Sequence, residues 1–415
     1  MSTTAENVAA ETLQPSDKSW ADRLFIAGLI IYAFSCTFSI AASQIALGLS
    51  FIAFMSLYLN GKAQIRPESF TSPFAFLVLT SILAVFRAEL PLRAGTEVKS
   101  FLVILVLCLI WWRSTDAKQQ KKIISVYLFS ATGVAAYSVI HALLYMKTGN
   151  HSQGFFSTSI TFGECQALAA LMLTHQIVTR CKRRRTLLLM LIALVIIIAS
   201  LLLSFTRGAW LGFITGFVVL FVGYPRRLLP IVIMSAVILS IAAYSSPYLQ
   251  ERIAGFDLSR ILATTNKSFD QNFESVAVMS GFHRLYIWQR GFSMLGENSV
   301  FGIGAKNMKH HYNLLANDFE REQNIIWSHQ HNNFMHMMLS YGFIGIIAFF
   351  YFIIRLFRFT LAESGGINFG AIAMLACFFT FGLTEHAWGD EEVIMLAFFL
   401  TGLLLNSSQE KAIQA

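Results

Sequence analysis

Histidines and carboxamides crowd into Trp327-Ser328-His329-Gln330-His331-Asn332-Asn333-Phe334-Met335-His336, immediately before an apolar run that extends to Phe352. A neutral imidazole is suited to take a proton from a hydroxyl near pH 7. A helix starting at this point also offers unpaired N–H groups and a positive dipole end to an anion. His331 is therefore the candidate general base, with His329 and Asn332 as secondary candidates. His331 also reads as an interfacial histidine bonded to loop carbonyls, and His310, His311 and His336 read as structural. Zinc accepts imidazole ligands, but on a helix His331 and His336 stand about 140° apart. No carboxylate is close to them in sequence, so neither a metal nor a cofactor is expected.

Three arginines can serve an anion beside that base. Arg207 sits in the short turn Ser204-Phe205-Thr206-Arg207-Gly208 between two apolar runs. A guanidinium so near hydrocarbon is costly unless it snorkels, pairs or holds a ligand. Its small neighbours Thr206 and Gly208 would let a phosphate approach. Arg284 and Arg290 share the candidate helix Gly281-Phe282-His283-Arg284-Leu285-Tyr286-Ile287-Trp288-Gln289-Arg290-Gly291, on faces about 120° apart. Arg284 goes with Trp288 and Gly291, and Arg290 with His283, so one arginine can enter a site while the other meets solvent. The planar guanidinium grips phosphate at two points, which a lysine cannot do. A helix N-terminus beside two arginines would also favour the neutral imidazole. An acidic stretch, Thr384-Glu385-His386-Ala387-Trp388-Gly389-Asp390-Glu391-Glu392, adds Glu385 and Asp390 as secondary candidates. They can orient His331 or pair with Arg207, or simply keep that loop in water.

The elements that must position these groups follow from composition. Hydrophobic residues make up 55% of the 415 and charged ones only 13%, against about 25% charged in an average soluble domain. This predicts an all-α polytopic membrane protein. Runs approaching the roughly 20 residues needed to cross a bilayer occur at 24–40, 44–59, 74–86, 101–112, 123–146, 163–178, 187–204, 210–222, 228–244, 334–354, 369–383 and 393–405, about twelve spans in all. The organisation expected is a cytoplasmic tail (1–23), nine spans (24–244), an extracytoplasmic loop domain (245–333), three spans (334–405) and a cytoplasmic tail (406–415).

Charge supports that topology. Lys62, Arg66, Arg113, Lys118, Lys121, Lys122, Arg180, Lys182, Arg183, Arg184, Arg185, Arg226, Arg227, Arg355 and Arg358 fall on one side. The opposite short loops hold only Arg87, Arg93, Lys99, Lys147 and Arg207. By the positive-inside rule the first side is cytoplasmic, as are both termini. The net charge of +8 follows from this arrangement, and no nucleic-acid partner is needed to explain it. The tail lacks the basic start and small-residue cleavage site of a signal peptide. Five cysteines, none in the long outer loop, imply no disulfide scaffold. No internal repeat of the transporter kind is visible. The outer loop reads as amphipathic helices at 248–262, 283–295 and 305–319, with a glycine turn at 298–304. Its basic and acidic residues balance, so any anion site in it must be local.

Taken in order, these motifs resemble the O-antigen ligase and polymerase superfamily. They are the Arg207-Gly208 turn after a span, the Arg284-x-x-x-Trp288 helix, the Phe301-Gly302-Ile303-Gly304 turn, and His331-Asn332 before a span holding Gly342-Phe343-Ile344-Gly345. Each is short, and the resemblance covers roughly 187–352. Length, span number and the single large outer loop are most similar to O-antigen ligase. The resemblance implies an inverting, metal-independent glycosyltransferase in the bacterial inner membrane, working on its periplasmic face. Its donor would be a polysaccharide on undecaprenyl pyrophosphate and its acceptor a lipid A-core sugar. The family's essential histidine maps to His331 and its arginines to Arg207 and Arg284, with Arg290 a further candidate. Glu385 and Asp390 become candidates for binding acceptor sugar. The same motifs serve polysaccharide polymerases and protein O-oligosaccharyltransferases. A lipid-linked sugar transporter is disfavoured because the mid-span positions are nearly all apolar.

Overall fold

A computed structural model describes residues 19–65, 67–113, 115–145, 152–181, 183–230, 276–316, 318, 321, 326–363 and 367–414. The described residues are helical, with no strand among them. The principal helices are α1 (Trp20–Ser35), α2 (Ile40–Leu59), α3 (Thr71–Arg87), α4 (Pro91–Val98), α5 (Leu105–Trp112), α6 (Ala117–Tyr145), α7 (Ser159–Arg180), α8 (Arg184–Leu203), α9 (Arg207–Gly223), α10 (Val276–Leu295), α11 (Met308–Leu315), α12 (Asn333–Arg358), α13 (Phe369–Phe381) and α14 (Glu391–Gln414).

Five helical stretches are long and apolar enough to cross a membrane: Ile40–Leu59, Pro91–Trp112, Ala117–Tyr145, Arg184–Leu203 and Asn333–Ala362. Three apolar helices are shorter: Thr71–Arg87, Arg207–Gly223 and Phe369–Phe381. The chain is thus a multi-pass membrane protein. The expected run at 101–112 is longer in the structure. A 3-10 segment, Lys99–Ile104, joins α4 to α5, so one rod starts at Pro91, where proline's fixed φ suits the first helical turn. The expected span 24–40 ends earlier, at Ser35, and after a turn Ser39 caps α2 by accepting from the Ala42 N–H. The expected span 228–244 and the loop helix at 248–262 lie outside the described residues from 231 onward. Of the loop helix expected at 305–319, the structure describes α11 and little beyond it.

Apolar side chains face two ways, as they must in lipid. Leu188, Leu189, Ile192 and Val195 of α8 are exposed, which in a membrane means contact with acyl chains rather than water. The interior is built around α13 and α14, where Phe378, Phe381, Phe398 and Phe399 are wholly buried. Close approach comes from small residues, since lipid supplies no hydrophobic drive between helices. On α9, a Cβ at Gly212 or Gly216 would come within 2.9 Å of the Cys377 and Ala373 carbonyl oxygens. This stripe seats α9 against α13.

The other site-building contact is backbone on backbone. Gly342 breaks α12 with φ 69° and ψ −166°, a conformation essentially confined to glycine. The turn at 298–304 fits into the break. The Ile303 and Gly304 N–H groups donate to the Leu339 and Ser340 carbonyls at 2.9 and 3.0 Å, and Phe343 N–H donates to Ser299 at 2.9 Å. A Cβ on Gly342 would stand 2.2 Å from the Val300 carbonyl oxygen. The two glycine motifs singled out in the sequence are therefore one contact, which fastens the 298–304 turn to the helix that His331 precedes.

Candidate active site

His331 immediately precedes the N-cap of α12 and has a left-handed backbone, φ 49°. Asn332 caps the helix by accepting from the Met335 N–H at 2.9 Å, and its amide donates to the Leu383 carbonyl at 2.7 Å. Asn333 N–H donates to the Gly382 carbonyl at 2.7 Å, and its side-chain oxygen accepts from the Trp388 N–H at 2.9 Å. These bonds pin the start of α12 to the acidic segment between α13 and α14. That segment is also held by Trp388, whose indole is buried among Phe349, Phe352, Phe378 and Phe398.

The result places Glu385 against His331. Glu385 is 6% exposed. Its Oε2 lies 2.8 Å from His331 Nδ1, and its Oε1 accepts from Arg284 Nη2. A carboxylate only accepts, so Nδ1 carries a proton, and in the neutral ring Nε2 keeps its lone pair. From sequence, Glu385 could orient His331 or pair with Arg207; in the structure this one buried carboxylate meets His331, and the arginine it pairs with is Arg284.

Arg284 is positioned from α10. Trp288, on the same face, donates from Nε1 to the Gln330 carbonyl at 2.8 Å. Gly291 completes that face, because a Cβ there would meet the Gln330 amide at 2.7 Å. Arg290 points elsewhere, donating from Nε to Tyr286 Oη at 3.2 Å with its guanidinium 5.6 Å from the Tyr286 ring centre. Arg207 is half-buried at the first turn of α9, and the N-cap Thr206 makes no side-chain cap bond. A Cβ on Gly208 would stand 2.3 Å from Thr384 Oγ1. The small neighbour thus admits the Glu385-bearing segment rather than a phosphate, which corrects the sequence reading. It sets the start of α9 one residue from Glu385. Asp390 is turned toward α7, where its Oδ2 accepts from Thr161 Oγ1 at 2.6 Å.

Sequence reasoning grouped His329, His331 and His336 but overlooked His386, which completes a cluster of four imidazoles. The His329 ring is 4.2 Å from that of His331 and 5.7 Å from that of His386, and the His336 and His386 rings are 3.7 Å apart, centre to centre. Burial pushes His329 down to about 4, with His331 adding to the effect and Glu385 opposing it. Burial, and then the other imidazoles, hold His386 well below the usual histidine range. The available signal was His386 directly following Glu385. Among the described residues, no group of three or more His, Cys, Asp or Glu side chains is arranged to hold a metal ion. His310 pairs with Glu89 at 2.8 Å, a tie between α11 and the loop after α3.

Non-glycine residues with positive φ among the described residues are Phe205, Lys306 and His331. Phe205 lies two residues before Arg207, and Lys306 lines a cavity with His329 and His386. Backbone strain of this kind persists where the surroundings over-determine it, and it concentrates at functional sites.

No curated protein matches the chain. A family model described as O-antigen ligase matches residues 192–350, a region that contains Arg207, Arg284, His331 and the Gly342 break but not Glu385 or His386. Over that stretch the chain is similar to the O-antigen ligase/polymerase superfamily.

Proposed function

We propose that the protein is an O-antigen ligase. In this reading it moves a polysaccharide from undecaprenyl pyrophosphate to a lipid A-core hydroxyl, on the periplasmic face of the bacterial inner membrane. The observation that carries the reading is the His331–Glu385–Arg284 chain of contacts at the start of α12. With Nδ1 bound to Glu385, His331 presents Nε2 to the acceptor hydroxyl. The acceptor oxygen attacks the anomeric carbon as the bond from that carbon to the pyrophosphate oxygen breaks. The hydroxyl proton passes to Nε2, and undecaprenyl pyrophosphate departs with the electron pair. A single displacement inverts the anomeric centre.

The leaving group is good, so little general acid is required. Its growing charge is met by fixed cations, Arg207 and the remaining donors of Arg284. The uncapped first turn of α9 adds backbone N–H groups beside Arg207. Glu385 is a positioning residue, holding the imidazole in one tautomer. Asn332 fixes the helix start, and Arg290 stands outside this set. This mechanism needs neither metal nor nucleotide.

The test is transfer by the purified chain from undecaprenyl-pyrophosphate-linked repeat units to lipid A-core. Wild type should transfer without nucleotide, and His331→Ala should lose about 10²–10⁴-fold in kcat, the usual contribution of a general base. Near-normal transfer by His331→Ala would remove the base. Extension of the donor polymer in place of acceptor labelling would make the protein a polymerase.

A further inference from the structure

A cavity of about 240 Å³ opens beside the histidine cluster, lined by Ser100, Ser328, His329, His336 and His386, with Glu97, Lys306 and Glu391 at its charged edge. The mechanism above uses none of these side chains. The charges at the edge are paired: Lys306 with Glu97 at 2.9 Å, and Glu391 with Lys99 at 3.9 Å and with the Gln44 amide at 2.8 Å. Two carboxylates beside one lining lysine make it a poor place for phosphate. Its inner wall is imidazole and hydroxyl. His336 is 6% exposed, and its Nδ1 has no hydrogen-bond partner among the described residues. A buried polar nitrogen without a partner is costly, and a ligand in the cavity beside this ring can supply the missing hydrogen bond. The histidines with depressed proton affinity, His329 and His386, stay uncharged across neutral pH, so each ring offers one donor and one acceptor.

We propose that this cavity is a subsite for one neutral pyranose ring, belonging to the saccharide that reacts at His331 and adjacent to its reacting ring. The inference rests on the glycosyl-transfer reading. Paired hydroxyls that both donate and accept match imidazole and serine walls, as apolar or charged groups do not. The volume suits a single ring. His331 does not line the cavity, but the His329 ring, 4.2 Å from it, does. The ring held here is therefore one position away from the chemistry. It can come from the acceptor core or from the donor's repeat unit.

The experiment titrates the full-length chain in lipid nanodiscs with two lipid-free, dephosphorylated probes, core oligosaccharide and repeat-unit oligosaccharide, by calorimetry. One probe should bind, and its identity assigns the source of the ring. His336→Phe removes the unpartnered nitrogen while keeping a flat ring against His386. Ser328→Trp fills the cavity from an exposed loop position. Each should weaken that probe about tenfold, with unchanged melting temperature. Binding by neither probe, or equal binding by wild type and both variants, overturns the proposal. The same titration on His331→Ala separates the two readings: retained binding with normal transfer sinks the base but leaves the subsite standing.

Discussion

Replacing Glu385 with glutamine keeps the volume and removes one acceptor from a buried site that uses both. The carboxylate accepts from His331 Nδ1 at 2.8 Å and from Arg284, with its side chain 8% exposed. An amide can satisfy only one of these donors. The charged guanidinium takes the amide oxygen, because charge-assisted bonds are the stronger. The amide N–H then faces Nδ1, which must accept, so the proton moves to Nε2 and the base is lost. Returning the ring to its working tautomer means facing an N–H with an N–H, a conflict of about 1–3 kcal/mol. At about 1.4 kcal/mol per tenfold in rate, kcat should fall by up to about 10²-fold. The assay is steady-state transfer with defined donor and acceptor from pH 5 to 9. Both KM values should hold and the acid limb of the pH profile should move, with partial recovery in Glu385→Asp. Glutamine at wild-type kcat, with an unchanged pH profile, would refute the positioning role.

The break in α12 should be equally sensitive. Gly342→Ala forces a Cβ against the Val300 carbonyl at a φ of 69°, costing about 1–3 kcal/mol in backbone strain alone. Melting in detergent should fall by several degrees, together with activity, as the 298–304 turn loosens. The histidine cluster predicts the sign of a pH effect. The folded pKa of His329, about 4, lies below the roughly 6.5 of an unfolded histidine. Between these values the unfolded chain binds more protons, so stability falls as pH drops through that window and is flat above it. The melting temperature from pH 7 to 4.5 should show this slope, and His329→Gln should reduce it, His386 supplying the remainder.

Much of this protein was legible in one dimension. Low charge content and long apolar runs dictate helices in a membrane, because a continuous apolar run satisfies its own backbone there as a helix, whereas a barrel strand alternates apolar and polar residues. Composition alone decides that. The chemistry-bearing side chains could also be picked out locally. His331-Asn332 stands at the start of an apolar run, Arg207 in a turn between two others, and Arg284 on one face of a helix with Trp288. The separation of Arg284 from Arg290 followed from helical period, and the structure turns the two to different partners.

What was not legible is which groups meet. Glu385 lies 54 residues from His331 and 101 from Arg284, and no local pattern links them. Their meeting depends on Asn332, Asn333 and Trp388 tying α12 to the segment between α13 and α14. The role of Gly208 was misread for the same reason. A missing side chain announces that something approaches, and only packing decides whether it is a ligand or Thr384. Local sequence sets the bonds a segment makes with itself, and thus the helices and their caps. The partner of each outward-facing polar group is chosen by the burial of all helices at once.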